Sequence, residues 1–168
     1  MEGAVLSLRA GYLGLGSNVG DRCAHLRGAR DALSTEVVVV AASSIYETEP
    51  QGLVVDQPDF LNACLAIETD REPEQLLDTC KRIERELGRE RGGVRHGPRA
   101  IDIDLLLLGD LELRSDRLVL PHRDLLSRRF VVAPLLELDP ALKLPDGTPL
   151  AHALERLDGQ RVTRLGPL

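Results

Sequence analysis

Hydrophobic and polar residues follow two different periods along this chain, and the periods predict its secondary structure. Alternation and short apolar runs predict strands at residues 4–15, 37–46, 60–68 and 100–108. Helical spacing predicts a helix after the N-cap Asp21, a second from Pro73 to Gly88, a third at residues 128–138 and a short fourth at residues 150–157. The polar, glycine- and proline-bearing segments 47–59 and 89–99 are predicted loops.

The order of these elements predicts the fold class. Strands 37–46 and 60–68 follow each other without a helix between them, which favours an antiparallel pair over a doubly wound parallel sheet. The series strand, helix, strand, strand, helix, strand is that of a ferredoxin-like βαββαβ core. We therefore predict an α+β fold, with an antiparallel sheet covered by helices in a three-layer α/β/α arrangement and with C-terminal additions. The length of 168 residues predicts a single domain, residues 1–168.

Composition narrows the classes of partner. The chain has two Phe, two Tyr and no Trp, too few rings for a protein that binds nucleic acid by base stacking. Its three cysteines form no Cys-x-x-Cys pair, its first residues lack a basic leader, and no apolar run approaches the roughly 18 residues that span a bilayer. These features predict a cytoplasmic protein without a membrane or nucleic-acid partner, and we expect a monomer.

Charge is distributed unevenly along the chain. The net charge is −6, yet residues 81–99 hold seven Lys and Arg against three Glu. For Arg82 and Arg85, a solvated helix face with ion pairs explains the charge as well as ligand binding does. The same explanation fails for the glycine-rich loop, because no helix organises its arginines; guanidinium groups there suit phosphate oxygens. The loop arginines are Arg89, Arg91, Arg95 and Arg99.

Two carboxylates follow this loop on a predicted strand. Asp102 and Asp104 are two residues apart, so both point to one side of the strand, roughly 6.5–7 Å apart along it. Carboxylates on an otherwise apolar strand need a cation between them, and Mg²⁺ takes one or two carboxylates together with water and substrate phosphates. An acidic pair neutralised by neighbouring arginines is the alternative. The arginine loop and the Asp-x-Asp pair together favour magnesium–nucleotide phosphoryl transfer.

Other candidate residues are less specific taken singly. His122, next to Pro121 and Arg123, is either a structural histidine or a donor to phosphate. Phe60 and Phe130 are half of all the aromatic residues, and each is either part of the core or one side of a stacking site for a flat heteroaromatic ligand.

Taken together, five motifs of this chain resemble a known enzyme family. They are Gly16-Ser17-Asn18, the turn from Thr48 to Pro50, the stretch 56–62, Gly97-Pro98-Arg99-Ala100-Ile101-Asp102-Ile103-Asp104 and Pro121-His122. Their order resembles that of 6-hydroxymethyl-7,8-dihydropterin pyrophosphokinases of folate biosynthesis. The resemblance implies one pyrophosphokinase domain that transfers pyrophosphate from ATP to the pterin hydroxymethyl group and releases AMP.

The resemblance also implies roles for individual residues. Asp102 and Asp104 would hold two Mg²⁺, and Arg89 and Arg99 would join them in catalysis. The implied ATP contacts are Glu84, Arg91, Arg95, Arg117, His122 and Arg128. The implied pterin contacts are the sandwiching rings Phe60 and Phe130 together with Thr48 and Asn62. The chain departs from the family at five positions, where other members can carry different residues: His96, Glu49, Val119, Arg123 and Lys81.

Two other functions remain open from the residues. A non-catalytic ferredoxin-like module could bind a nucleotide or RNA through the arginine loop, although it would leave Asp102 and Asp104 without a purpose. An ordinary kinase would move one phosphoryl group. The products distinguish the three, because a pyrophosphokinase makes AMP, a kinase makes ADP, and a binding module makes neither.

Overall fold

The computed structural model describes residues 7–49, 56–88 and 100–168. No helix that these residues form is both long and apolar enough to cross a membrane. The strands are β1 (Arg9–Ser17), β2 (Val38–Ala42), β3 (Ser44–Thr48), β4 (Phe60–Thr69), β5 (Asp102–Leu108), β6 (Leu113–Arg114), β7 (Val119–Leu120) and β8 (Val162–Pro167). The helices are α1 (Arg22–Ser34), α2 (Pro73–Glu86), α3 (Arg129–Leu138) and α4 (Ala151–Glu155).

The main sheet has the strand order β5-β1-β4-β3-β8, and every pairing in it is antiparallel. Strand β2 also pairs with β4, on the side where β3 pairs with it. The sheet therefore confirms the predicted α+β, ferredoxin-like core with an antiparallel sheet. The short strands β6 and β7 form a separate hairpin.

Each face of the sheet buries its own hydrophobic core, because alternate strand residues point to opposite faces. On β5, Ile103 and Leu105 pack with leucines of α1 and α2, whereas Leu106 packs with Val132 and Leu135 of α3. Helices α1 and α2 thus cover one face, and α3 and α4 cover the other. The prediction of three layers is confirmed.

Several boundaries differ from the prediction. The strand predicted at residues 37–46 is two strands along one edge of β4. Regular pairing is interrupted at Ser43, where the buried Ser43 Oγ accepts the Cys64 N–H at 2.9 Å. The predicted strand 4–15 is described from Arg9 and runs on to Ser17. The helix predicted at residues 128–138 begins one residue later, and the one predicted at 150–157 is shorter at both ends.

Strand β8 is absent from the prediction. It lies at the edge of the sheet beside β3, and most of its residues are exposed, so it lacks the apolar alternation that marks a strand in sequence. Its first residue, Val162, pairs with Thr48, the last residue of β3.

Candidate functional site

A cavity of about 290 Å³ opens on the face of the sheet that α3 covers. Two glycines of β1 form its floor. In the strand pairing, Gly16 lies between Asp102 of β5 and Asn62 of β4, and Gly14 lies between Asp104 and Cys64. The two carboxylates and the two β4 side chains therefore stand on either side of a strip of bare backbone.

The glycines keep this floor open. A Cβ on Gly16 would lie 3.0 Å from Asn62 Oδ1 and 3.8 Å from Phe60 Cδ1. A Cβ on Gly14 would lie 3.4 Å from the Leu106 side chain. A side chain at either position would occupy space that a ligand could otherwise fill. Glycine is therefore needed here because it has no side chain, not because of its backbone conformation.

One wall of the cavity is polar and ordered. Asn62 Nδ2 donates to Thr48 Oγ1 at 2.7 Å, and both residues are buried. The bond fixes the amide so that Asn62 Oδ1 is the group nearest to Gly16 on the floor. The wall offers a ligand one amide acceptor and one hydroxyl hydrogen.

The half-buried rings of Phe60 and Phe130 line the same cavity, Phe60 from the start of β4 and Phe130 from the first turn of α3. The Arg128 guanidinium lies 5.6 Å from the centroid of the Phe130 ring and pairs with Asp124 at 3.0 Å. The start of α3 thus brings an aromatic ring and a cation to the cavity together.

Asp102 and Asp104 both line the cavity, from the same side of β5. The backbone between them is held from the opposite face, where the buried Glu84 of α2 accepts the Ile103 N–H at 2.7 Å through Oε1. Lys81 Nζ lies 3.5 Å from the other Glu84 oxygen and also lines the cavity. Glu84 therefore fixes the strand that carries the carboxylates.

His122 lines the cavity beside these carboxylates. Its Nδ1 accepts the Asp124 N–H at 3.1 Å, so in the neutral ring the hydrogen is on Nε2. The ring is thereby set to donate from Nε2 rather than to accept.

A second cavity of about 300 Å³ adjoins the first. The two share Lys81, Asp104, His122 and Asp124 in their linings. The second adds two arginines, Arg117 and Arg123, and apolar side chains that include Leu77, Leu118 and Val119. Arg117 also pairs with Asp78 and Glu74 of α2, and its hydrogen bond with Asp78 raises the pKa of Arg117. The arrangement is two neighbouring compartments with charged groups at their junction.

Most of the site residues predicted from sequence and described here converge. Those that line the first cavity are Thr48, Phe60, Asn62, Asp102, Asp104, His122, Arg128 and Phe130. Arg117 lines the second cavity, whereas Glu84 lies beneath β5 and lines neither. Arg89, Arg91, Arg95 and Arg99 lie outside the described residues. Arg82, in the helical part of the basic segment, pairs with Glu86 at 3.1 Å, as the solvated-face interpretation predicts. It also pairs with Glu36, which lies outside the helix.

Sequence reasoning missed several lining residues, among them Gly14, Cys64, Lys81 and Asp124. A period of two would have found Gly14 and Cys64, because each is two positions from a residue already singled out on its strand. Burial raises the pKa of the Cys64 thiol, and the nearby Asp104 carboxylate raises it further. Both effects favour the neutral thiol over the thiolate.

A polar contact ties α3 to β3 next to the cavity. The Tyr46 hydroxyl donates to Glu137 Oε1 at 2.6 Å, and the Ser44 N–H donates to Glu137 Oε2 at 2.7 Å. Burial, together with the Glu137 hydrogen bond, raises the pKa of Tyr46 to about 12. Partial burial would raise the pKa of Glu137, but these hydrogen bonds outweigh it and the net shift is downward. The pair stays phenol and carboxylate at neutral pH.

Comparison with known proteins gives the family. The family 7,8-dihydro-6-hydroxymethylpterin-pyrophosphokinase (HPPK) matches residues 12–140. A 2-amino-4-hydroxy-6-hydroxymethyldihydropteridine pyrophosphokinase of Methylorubrum extorquens is 46% identical over 156 residues, which cover 92% of this chain and 97% of that protein. The protein of the same name from Bacillus subtilis is 45% identical over 129 residues, 76% of each chain.

A solved structure shares the fold. The crystal structure of Plasmodium falciparum HPPK-DHPS matches with a TM-score of 0.71 at 14% identity, over 91% of this chain. The match covers 46% of that longer chain, so the present chain spans less than half of the solved protein.

Proposed function

The chain belongs to the 6-hydroxymethyl-7,8-dihydropterin pyrophosphokinase family, and we propose that its two adjoining cavities hold the two substrates of that reaction. The enzyme transfers pyrophosphate from ATP to hydroxymethyldihydropterin in folate biosynthesis. The observation that carries the assignment of the cavities is their shared lining, which includes Asp104, His122 and Lys81. A transfer of pyrophosphate from one substrate to the other needs such a junction.

The first cavity suits the pterin. A pterin is flat and aromatic, and Phe60 and Phe130 are the two phenylalanines of the chain; both line this cavity. The ring edge carries N–H donors and ring-nitrogen acceptors, which match the Asn62 oxygen and the Thr48 hydroxyl. The bare strip at Gly14 and Gly16 leaves room for the ring beside the sheet.

The second cavity suits ATP. Leu77, Leu118 and Val119 provide an apolar surface for the base, and Arg117 and Arg123 provide cations. His122 at the junction can donate an Nε2 hydrogen bond to a phosphate oxygen. The loop arginines Arg89, Arg91, Arg95 and Arg99 remain predicted phosphate contacts. Arg128 and Glu84 remain predicted ATP contacts, although Arg128 lines the first cavity and Glu84 would act through its hold on β5.

The carboxylates fit magnesium. Asp102 and Asp104 stand on one side of β5 at the cavity, and no hydrogen bond or ion pair links the Asp104 carboxylate to another described residue. Within the described ranges, no three His, Cys, Asp or Glu residues form a metal-binding group. Two carboxylates suffice for Mg²⁺, which completes its coordination with water and phosphate oxygens. We propose that Asp102 and Asp104 hold two Mg²⁺, which would neutralise phosphate charge during transfer.

The chain then acts by positioning and by charge. The hydroxymethyl oxygen of the pterin attacks the β-phosphorus of ATP, the bond from that phosphorus to the α–β bridging oxygen breaks, and AMP leaves as the hydroxyl proton is released. Phe60, Phe130 and Asn62 hold the pterin ring, and with it the hydroxymethyl group that attacks, in place. His122 and Lys81 face the phosphates whose charge rises during the transfer.

A product assay tests this function. The protein is mixed with ATP, magnesium and 6-hydroxymethyl-7,8-dihydropterin, and nucleotides are separated by anion-exchange chromatography. We expect AMP in a one-to-one ratio with the pterin diphosphate. ADP would indicate an ordinary kinase, and unchanged ATP would indicate a binding module; either result would overturn the proposal.

The floor of the pterin cavity gives a further prediction. Gly16→Val should raise the KM for the pterin about tenfold or more, because its side chain would meet Asn62 and Phe60 and take the place of the ligand. The KM for ATP should stay within about twofold, since Gly16 does not line the second cavity. Steady-state kinetics with each substrate varied in turn measure both constants.

Gly28→Ala is the matched control for this substitution. A Cβ on Gly28 of α1 meets only Leu87, at an ordinary 3.9 Å, on the other face of the sheet. The control should leave both KM values unchanged. Equal increases in the two KM values of Gly16→Val would contradict the assignment of the floor to the pterin.

Three wider expectations accompany the assignment. The two cores share one sheet, which supports one pyrophosphokinase domain over residues 1–168. The three cysteines are free thiols, which supports a reducing, cytoplasmic location. The expectation of a monomer stays a prediction.

A further inference from the structure

Residues 160–164, which lead into β8 and begin it, contact three parts of the chain around the proposed pterin cavity. Gln160 bonds to the start of α3, Arg161 pairs with Glu49 and Asp59, and Arg164 bonds to Ser44 and approaches Glu137. The segment lies outside the 12–140 range of the family match. Residues from the end of the chain therefore buttress a site whose lining residues all come from earlier in it.

Helix α3 begins without a cap of its own. Its N-cap residue is Arg128, whose side chain makes no capping hydrogen bond. The first backbone N–H groups of a helix have no partner within the helix, so they need one from outside. Gln160 supplies it, because its Oε1 accepts the Arg129 N–H at 2.9 Å.

The same glutamine holds the residue before the cap. Gln160 Nε2 donates to the Ser127 carbonyl at 2.9 Å, and the Gln160 carbonyl accepts from Arg129 Nη1 at 3.0 Å. Its side-chain amide thus bonds on both sides of Arg128, to Ser127 and to Arg129. A group bonded at both ends fixes where the helix starts, and hence where Arg128 and Phe130 lie.

Gln160 is better suited to this role than the two arginines. Both arginine side chains are 65% exposed, and solvent weakens the ion pairs that they make. The Gln160 bonds are partly buried or reach backbone groups, where an amide acts as donor and acceptor at once.

We propose that Gln160 is a positioning residue for pterin binding, acting as a remote cap that orients the first turn of α3. Through Arg129 and Ser127 it sets the distance of the Phe130 ring from the opposite ring and the placement of Arg128 over it. The inference rests on the proposed pterin cavity. The inference assigns a role in pterin binding to Gln160, a residue that lines neither cavity.

Replacement of the amide tests the proposal. Gln160→Leu keeps the size of the side chain and removes both of its hydrogen bonds; we expect the KM for the pterin to rise about five- to tenfold. The KM for ATP should rise less than the KM for the pterin, because Arg128 is the predicted ATP contact at this cap, whereas the second cavity contains no residue of α3. Gln160→Glu keeps an acceptor for the Arg129 N–H but cannot donate to the Ser127 carbonyl, so it should recover part of the pterin affinity.

Thermal unfolding of each variant separates positioning from stability. The assays run at least ten degrees below the lowest melting temperature, and Arg156→Ala, an exposed change close to Gln160 in the sequence, is the control. An unchanged pterin KM in Gln160→Leu, equal rises in both KM values, or no recovery in Gln160→Glu would overturn the inference. A wild-type protein that forms no AMP would instead overturn the proposed function, so the two failures are distinct.

Discussion

Asp104→Asn is expected to lower turnover about a thousandfold while the fold stays intact. The substitution keeps the shape of the side chain and removes the negative charge that, on our proposal, would hold magnesium. Asp104 is the carboxylate of this pair that lines both cavities, so its charge acts at the junction where the phosphate moves. The AMP assay at rising magnesium concentration measures the effect.

The fold of this variant can be followed independently. Asp104 is half-exposed, so circular dichroism and the melting temperature should match those of the wild type. Asp110→Asn, in the exposed turn after β5, removes the same charge away from both cavities and should retain full turnover. Recovery of near-normal turnover by Asp104→Asn at saturating magnesium would refute the metal assignment.

Phe130→Ala should weaken pterin binding about tenfold or more and leave ATP binding within about twofold. The ring contributes stacking area on one side of the first cavity and is absent from the lining of the second. It also lies under the Arg128 guanidinium, and its loss frees that cation to move. Titration with the pterin and, separately, with a non-hydrolysable ATP analogue gives the two dissociation constants.

Leu136→Ala is the comparison that isolates the ring from the helix. Leu136 lies on the same helix and packs against the same core without lining the cavity. It should lower the melting temperature with little change in pterin affinity. If Phe130→Ala behaves in the same way, or weakens both ligands equally, the ring is a core residue and not part of the pterin site.

The core of the fold could be predicted because its signals are local. Alternation marked the inner strands, Asp21 does cap α1 by accepting the Ala24 N–H at 3.0 Å, and Pro73 does begin α2. The placement of the Asp-x-Asp pair could also be predicted, because residues two positions apart on a strand share a face.

What could not be predicted depends on contacts between distant segments. Nothing near Gln160 in the sequence shows that it bonds to the start of α3, and Lys81 reaches the site only because α2 packs across β5. The floor of the cavity could be predicted only in part. Gly16 belongs to a motif that the sequence shows, but only the pairing of β1 with both neighbours shows that it separates Asp102 from Asn62. Such relations come from sheet order, which no local pattern contains.

The pairing of β8 with β3 also has a consequence for biosynthesis. The bond from Arg164 to Ser44 joins residues 120 positions apart, so the strand that flanks Thr48 is made long after Thr48 itself. When β1 to β5 have left the ribosome and β8 has not, the outer edge of β3 is still unpaired. Because contacts between distant residues form late and slowly, β3 gains its outer neighbour only after the C-terminal strand has left the exit tunnel.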